Sequence, residues 1–292
     1  DAVLVLSDIL QADLMVSNIT ASTSAYCGEE LQVTWTIHND GTIEANGSWI
    51  DRVVLSKDGV LSSDDITRGW LTYNGTLPAG GSYTQTENIT LPTILGQCYI
   101  IVETNPYHTI SEISTNNNWA VLSDPLVLAA PYHATINTDI DYAPNGMSIP
   151  LYGHAYKVSD NTAAAGVPVS IRILCNGMRR VFSDTTDESC DFEDKFVPLQ
   201  YEAGQYFVAA DYPSVTDDIV QDEFMILGMA ANPSQSSLRM TPGIPANGHI
   251  MIRNLTNISL TNLDVAVQNL PDNILADVSV PQNHPASGTI DL

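Results

Sequence analysis

Three groups of side chains carry enough chemistry to be read first. The loop SKDGVLSSDDITRG holds Asp58, Asp64 and Asp65, hard oxygen donors of the kind calcium takes on a flexible loop. Their spacing is not that of an EF-hand, and Asp and Ser in a turn also hydrogen-bond their own backbone. The loop therefore reads first as a turn and second as a calcium site. The second group is Asp51, Glu112 and Asn117, with Asn39, Asp40, Asn105, Asn116 and Asn118 around them. A carboxylate at the mouth of a core needs partners: either Asp51 and Glu112 cap loop amides, or they hold a ligand or a cation. The third group is four cysteines, Cys27, Cys98, Cys175 and Cys190. None sits in a CxxC pair, which argues against zinc. An even count in a chain rich in Ser, Thr and Asn argues for disulfides and an oxidising compartment, secreted or at a cell surface.

Reactive constellations are otherwise sparse. The six histidines, His38, His108, His133, His154, His249 and His284, are scattered with no His-x-x-x-His pair. Nothing resembles Gly-x-Ser-x-Gly or a Gly-rich phosphate loop, so a non-catalytic chain is expected. Six Asn-x-Ser/Thr triplets, at Asn18, Asn46, Asn74, Asn88, Asn254 and Asn257, are acceptors for glycan where the source glycosylates.

Charge narrows the partners. The net charge of −24 arises from scarce bases, three lysines (Lys57, Lys157, Lys195) and seven arginines, rather than from abundant acids. Such a surface repels phosphate backbones and anionic membranes, which excludes nucleic acid as an expected partner. No apolar run approaches the roughly 20 residues of a membrane span, so no membrane insertion is expected. No signal peptide is visible, and the chain reads as starting at a mature terminus or a boundary.

The elements that position these residues are strands. Leu31, Val33, Trp35 and Ile37 alternate with Gln32, Thr34, Thr36 and His38, the period of a half-buried strand, and Asn39-Asp40-Gly41 turns the chain. Asp51 shares parity with Trp49, Val53 and Leu55. Seven strands are expected between residues 13 and 130: 14–19, 31–38, 49–57, 66–73, 82–91, 98–103 and 119–128. That number and spacing is an immunoglobulin-like sandwich. In such a sandwich Cys27 and Cys98 start strands at the same end, so a bridge between them is expected, contributing about 4 kcal/mol in the chain-entropy picture. Residues 131–229 read as a second sandwich, with strands through Ile149–Ala155, Val167–Ile173 and 204–210, and with a local Cys175–Cys190 bridge. Residues 230–292 hold alternating strands at Ile250/Ile252 and Leu263/Val265/Val267, too few for a complete third domain. Residues 1–12 carry one apolar strand with nothing before it to pair with, through Val3, Leu4, Val5, Leu6, Ile9 and Leu10. It is either the end of a preceding domain or a donor strand that completes the incomplete sandwich of another copy.

Residues 13–128 also carry a resemblance. Asp13-Leu14 with Val16-Ser17-Asn18-Ile19, then Gly28-Glu29, Thr34-Trp35-Thr36-Ile37, Asn39 and Gly41 run in order. Trp49 with Asp51-Arg52-Val53, Leu55-Ser56-Lys57-Asp58, Asp64-Asp65, Leu77–Gly81, Leu91-Pro92 and Glu112 with Asn117-Asn118 follow. This series resembles the cell-adhesion-related domain found in bacteria, CARDB. The next segment, with Gly166-Val167-Pro168-Val169, Thr186-Asp187 and Ala203-Gly204-x-Tyr206, is similar to bacterial immunoglobulin-like repeats. The resemblance implies a structural repeat of large surface proteins. The expected fold is thus all-β, tandem immunoglobulin-like β-sandwiches in an elongated chain. The expected function is a non-catalytic extracellular structural or adhesive surface protein. Its partners would be copies of itself head to tail, further domains of one long chain, or surface glycans. The alternative is a carbohydrate-binding or spacer module of a larger secreted enzyme, presenting aromatics such as Trp70, Tyr73, Tyr83, Tyr107 and Trp119.

Overall fold

A computed structural model describes residues 10–199, 202–232, 234–235, 237, 239–279 and 283–291. The described residues form strands, turns and bends and no helix. The chain divides into two compact units, Asp1–Pro131 and Tyr132–Leu292. The apolar run Val3, Leu4, Val5, Leu6 and Ile9 lies outside the described residues.

The first unit contains β1 (Leu14–Thr20), β2 (Ser24–Tyr26), β3 (Glu30–Asn39), β4 (Ala45–Ser56), β5 (Ile66–Leu77), β6 (Ser82–Thr90), β7 (Gly96–Thr104), β8 (Trp119–Val121) and β9 (Leu126–Ala129). One sheet has the order β1-β3-β6; the other has the order β2-β9-β7-β4-β5, with β8 also on β7. Alternation along β3 puts Leu31, Val33, Trp35 and Ile37 between the sheets, beside Ile89 of β6 and facing Trp49, Val53 and Val102 of the other sheet in a fully buried core. The strand expected over 119–128 is two, because Pro125 has no N–H for the ladder. Sequence periodicity also missed β2, three residues long, which runs parallel to β9. Gly41 lets the turn after β3 lie on the incoming chain: a Cβ there would stand 2.4 Å from the Gln11 carbonyl oxygen.

The second unit repeats that order. Its strands are β10 (Tyr132–Asn137), β11 (Tyr142–Pro144), β12 (Ile149–Lys157), β13 (Pro168–Cys175), β14 (Met178–Thr185), β15 (Asp191–Phe196), β16 (Gly204–Asp211) and β17 (Asp222–Leu227). They make a three-stranded sheet β10-β12-β15 and a five-stranded sheet β11-β17-β16-β13-β14. Apart from β8, which has no counterpart among the described residues, this matches the first unit, down to a short parallel pair, β2 with β9 and β11 with β17. Val169, Ile171, Ile173, Val208, Phe196, Phe224 and Leu151 fill the core. Five shorter strands follow: β18 (Met229–Asn232), β19 (Met251–Asn254), β20 (Leu260–Thr261), β21 (Asn283–His284) and β22 (Thr289–Asp291). They form the sheets β18-β19-β22 and β20-β21. Leu263, Val265 and Val267, expected as a strand, form none: alternation supplies an apolar face, but a strand also needs a ladder partner.

Candidate functional site

The carboxylate at the sandwich mouth is a buried hub. Asp51 points inward from β4, fully buried. Its Oδ2 accepts from the Trp35 indole at 3.0 Å and from the Tyr83 hydroxyl at 2.9 Å, and its Oδ1 accepts from Thr104 Oγ1 at 2.7 Å. Trp49 Nε1 donates in turn to the Tyr83 oxygen at 2.8 Å. Burial raises the pKa of Asp51, against the pull of the donors from Thr104, Trp35 and Tyr83. Burial, followed by the neighbouring Asp51 charge, also drives the Tyr83 phenol far above its ordinary range.

Glu112 works one step further out. Its Oε2 accepts from the Leu14 amide at 2.6 Å, and its Oε1 accepts from the side-chain amides of Asn105 and Asn118. Asn118 reaches the Thr104 carbonyl as well, so Glu112 and Asp51 belong to one polar network through Thr104. Asn117 ties β1 to the same corner, its Nδ2 donating to Asp13 Oδ1 at 3.1 Å and its carbonyl accepting from Val16. The structure therefore joins Asp51, Glu112 and Asn117 at one end of the sandwich; the two carboxylates are taken up by side-chain and backbone donors, while the buried Oδ1 atoms of Asn117 and Asn118 have no hydrogen-bond partner among the described residues.

The acidic loop after β4 is bonded to itself. Asp58 Oδ1 accepts from Ser56 Oγ and the Val60 amide, Asp65 Oδ2 from the Ser62 amide, and Asp64 Oδ1 from Ser62 Oγ. The Ser62 hydrogen bond holds the Asp64 carboxyl below its usual range. Among the described residues no three His, Cys, Asp or Glu side chains are grouped to hold a metal ion.

The expected disulfides are corrected: none of the four cysteines is bridged. Cys175 opens the hairpin of β13 and β14, and Cys190 lies beyond its far end. The intervening β14 is 8 residues long, roughly 25 Å at about 3.3 Å per residue, against a Cα separation of about 7 Å at most for a bridge. Cys27 extends the ladder of β2 onto the Ala129 carbonyl, whereas Cys98 faces Leu126 from the other side of β9. The intervening strand keeps the two backbones apart. The Cys27 thiol donates to the Ile94 carbonyl, and burial, then the nearby Cys27, raises the Cys98 pKa.

Of the sequon asparagines, Asn18, Asn46, Asn74, Asn88 and Asn257 are exposed. Asn254 is corrected as a glycan acceptor: it is fully buried, and its Nδ2 donates to the carbonyls of Ile258 and Pro285.

The aromatics divide into two sets. Tyr73 stacks on Tyr83 and on buried Trp49, and Tyr83 meets Trp49 at a tilt. Trp70 and Tyr107 face solvent, 46% and 63% exposed, with rings parallel and centroids 6.3 Å apart. Arg52, on the outward face of β4, lies 5.9 Å from the Trp70 ring and pairs with Glu103 at 2.5 Å. Sequence reasoning gave Arg52 and Glu103 no role in a site. The available signal was parity, since Arg52 alternates with inward Asp51 and Val53.

The two sheets of the first unit define an immunoglobulin-like β-sandwich, and a CARDB family model matches residues 11–121, within that unit. Among solved structures the chain is similar to the CARDB domain of a Pyrococcus furiosus protein in complex with di-metal ions. That match has 19% identity and a TM-score of 0.33, and covers 44% of this chain and 100% of that one. A solution structure of the CARDB domain from Pyrococcus furiosus matches at 20% identity and TM-score 0.31, covering 41% and 98%. A β-glucosidase from Listeria innocua matches at 15% identity and TM-score 0.29, over 41% of this chain and 16% of that one. No curated protein matches.

Proposed function

We propose that the chain is a non-catalytic structural and adhesive protein of an extracellular surface. The observation that carries this reading is the repeated sandwich: two consecutive sets of strands in one order, the first matching CARDB. Asp51 ties strands of both sheets together and Glu112 holds the adjoining loop, as expected of a scaffold. Assembly would proceed head to tail, residues 1–10 of one copy adding a strand to residues 230–292 of the next. Apolar exposure in that region supports the acceptor role: Met240, Ile244, Met251, Val267 and Leu275 all face water, and apolar β segments gain by pairing.

The test is negative-stain electron microscopy of the full chain beside a version lacking residues 1–10. Fibres that vanish on deletion support strand donation. Single particles in both samples overturn assembly and leave a repeat of a longer surface chain. The second reading, a carbohydrate-binding or spacer module of a secreted enzyme, is favoured by the exposed Trp70–Tyr107 pair.

A further inference from the structure

We propose that the outward face of the sheet around Arg52 is a binding platform for a neutral saccharide, with Trp70 and Tyr107 as its stacking surface. Four strands contribute one cross-strand row. Trp70 on β5 is opposite Arg52 on β4, Arg52 is opposite Glu103 on β7, and Glu103 is opposite Trp119 on β8. An indole thus stands at each end of a guanidinium–carboxylate pair. At about 4.8 Å per strand the row spans roughly 14 Å, room for a short oligosaccharide.

The surface is held ready. Arg52 sits between the Trp70 ring and Glu103, contacting both. Tyr107 is presented by a loop fastened at its base: Asn105 Oδ1 accepts from the Thr109 amide at 2.8 Å and from the Ile110 amide at 3.3 Å. Asn105 Nδ2 donates to the Ile110 carbonyl at 2.9 Å, and Thr109 Oγ1 donates to the Ser48 carbonyl at 2.9 Å. Asn105 and His108, which flank Tyr107, take left-handed angles (φ 48° and 52°), a backbone cost that a loop carries where it must hold one shape. A tethered loop that leaves its aromatic in water is preorganised to bind.

The chemistry selects the ligand. A sugar ring offers a C–H face to an aromatic plane, while its hydroxyls, each donor and acceptor, meet the donors of Arg52 and the acceptor oxygens of Glu103. Protein interfaces are depleted of charge at their centre, whereas the centre of this row is an ion pair. A net charge of −24 together with Glu103 disfavours phosphate and other anions. The inference supplies a ligand class for the adhesive reading and does not depend on filament assembly.

The test is affinity electrophoresis of the full chain through gels containing a soluble β-glucan, a xylan or a galactomannan, with tryptophan fluorescence titration in parallel. Retardation in at least one gel is expected, weakened about tenfold or more by W70A and by Y107A and preserved in Y107F. Circular dichroism of each variant checks the fold, and Y142A, at an exposed aromatic of the second unit, should leave binding intact. Migration unchanged in all three gels, or retardation indifferent to both truncations, overturns the site. Fibres in the microscope with no retardation would retain the structural reading and remove the saccharide platform alone.

Discussion

Asn254 repeats the bonding of Asn39. Each is fully buried at the end of a strand. Each donates Nδ2 to the carbonyl four residues on, Asn39 to Ile43 and Asn254 to Ile258. Each accepts on Oδ1 from the amide two residues on, Gly41 and Thr256. A second Nδ2 bond ties each turn to a distant carbonyl, Leu77 for Asn39 and Pro285 for Asn254. The small sheets after residue 228 thus begin as the first sandwich does. This gives a prediction at a glycosylation triplet. Made in a glycosylating host, the folded protein should carry glycan at exposed Asn257 and none at Asn254, read by peptide mapping. N254A should destabilise the segment by about 2 kcal/mol, since the partner carbonyls lose their donor.

Asp51 sets the second prediction. Three donors converge on it from β3, β6 and β7. An Asn in its place would turn an amide N–H toward at least one of them, so D51N should cost about 2–4 kcal/mol in denaturant unfolding. The pH dependence has a definite sign. Burial raises the folded-state pKa, so the folded protein holds this proton to higher pH than the unfolded chain. The resulting stabilisation is complete below the ordinary carboxylate value and is lost as pH rises through the raised one. The stability of the native protein minus that of D51N should therefore fall with rising pH across that interval. A rise would reverse the assignment.

What the sequence showed and what it hid have physical reasons. Alternation exposed the inner faces of β3 and β4 and the inward turn of Asp51, because parity is local. Trp70, Arg52, Glu103 and Trp119 could not be seen as a row, because register across four strands is set by pairing, here with an irregularity between Val53 and Val54. The Cys175–Cys190 segment looked like a loop to be stapled, since a gap in sequence does not reveal that β14 occupies it. Leu263 to Val267 shows the converse, an apolar pattern without a ladder.

The cysteines give a third prediction. Under denaturing, non-reducing conditions all four should react with a thiol reagent, and a tryptic map should contain no peptide linking Cys175 to Cys190. In the native protein Cys98 should alkylate more slowly than a model thiol near neutral pH and speed up as pH rises, because burial and then Cys27 raise its pKa. A linked Cys175–Cys190 peptide would require β13 and β14 to be broken apart.

The acidic loop gives the last. Asp58 holds Ser56 Oγ and the Val60 amide, and Asp65 holds the Ser62 amide, so each carboxylate closes a turn without help. Calcium would have to recruit the remaining oxygens of Asp58, Asp64 and Asp65 together with backbone carbonyls, since it takes six to eight oxygen ligands. Turn bonding and metal binding differ in what a chelator does. If the carboxylates serve the turn, excess EDTA should leave the melting temperature unchanged, while D58A lowers stability by about 1 kcal/mol through loss of the Val60 and Ser56 bonds. A melting temperature that falls by several degrees in EDTA, recovers with added calcium and no longer responds in D64N would assign the ion to this loop. The unmodified chain with and without chelator decides the question before any variant is made.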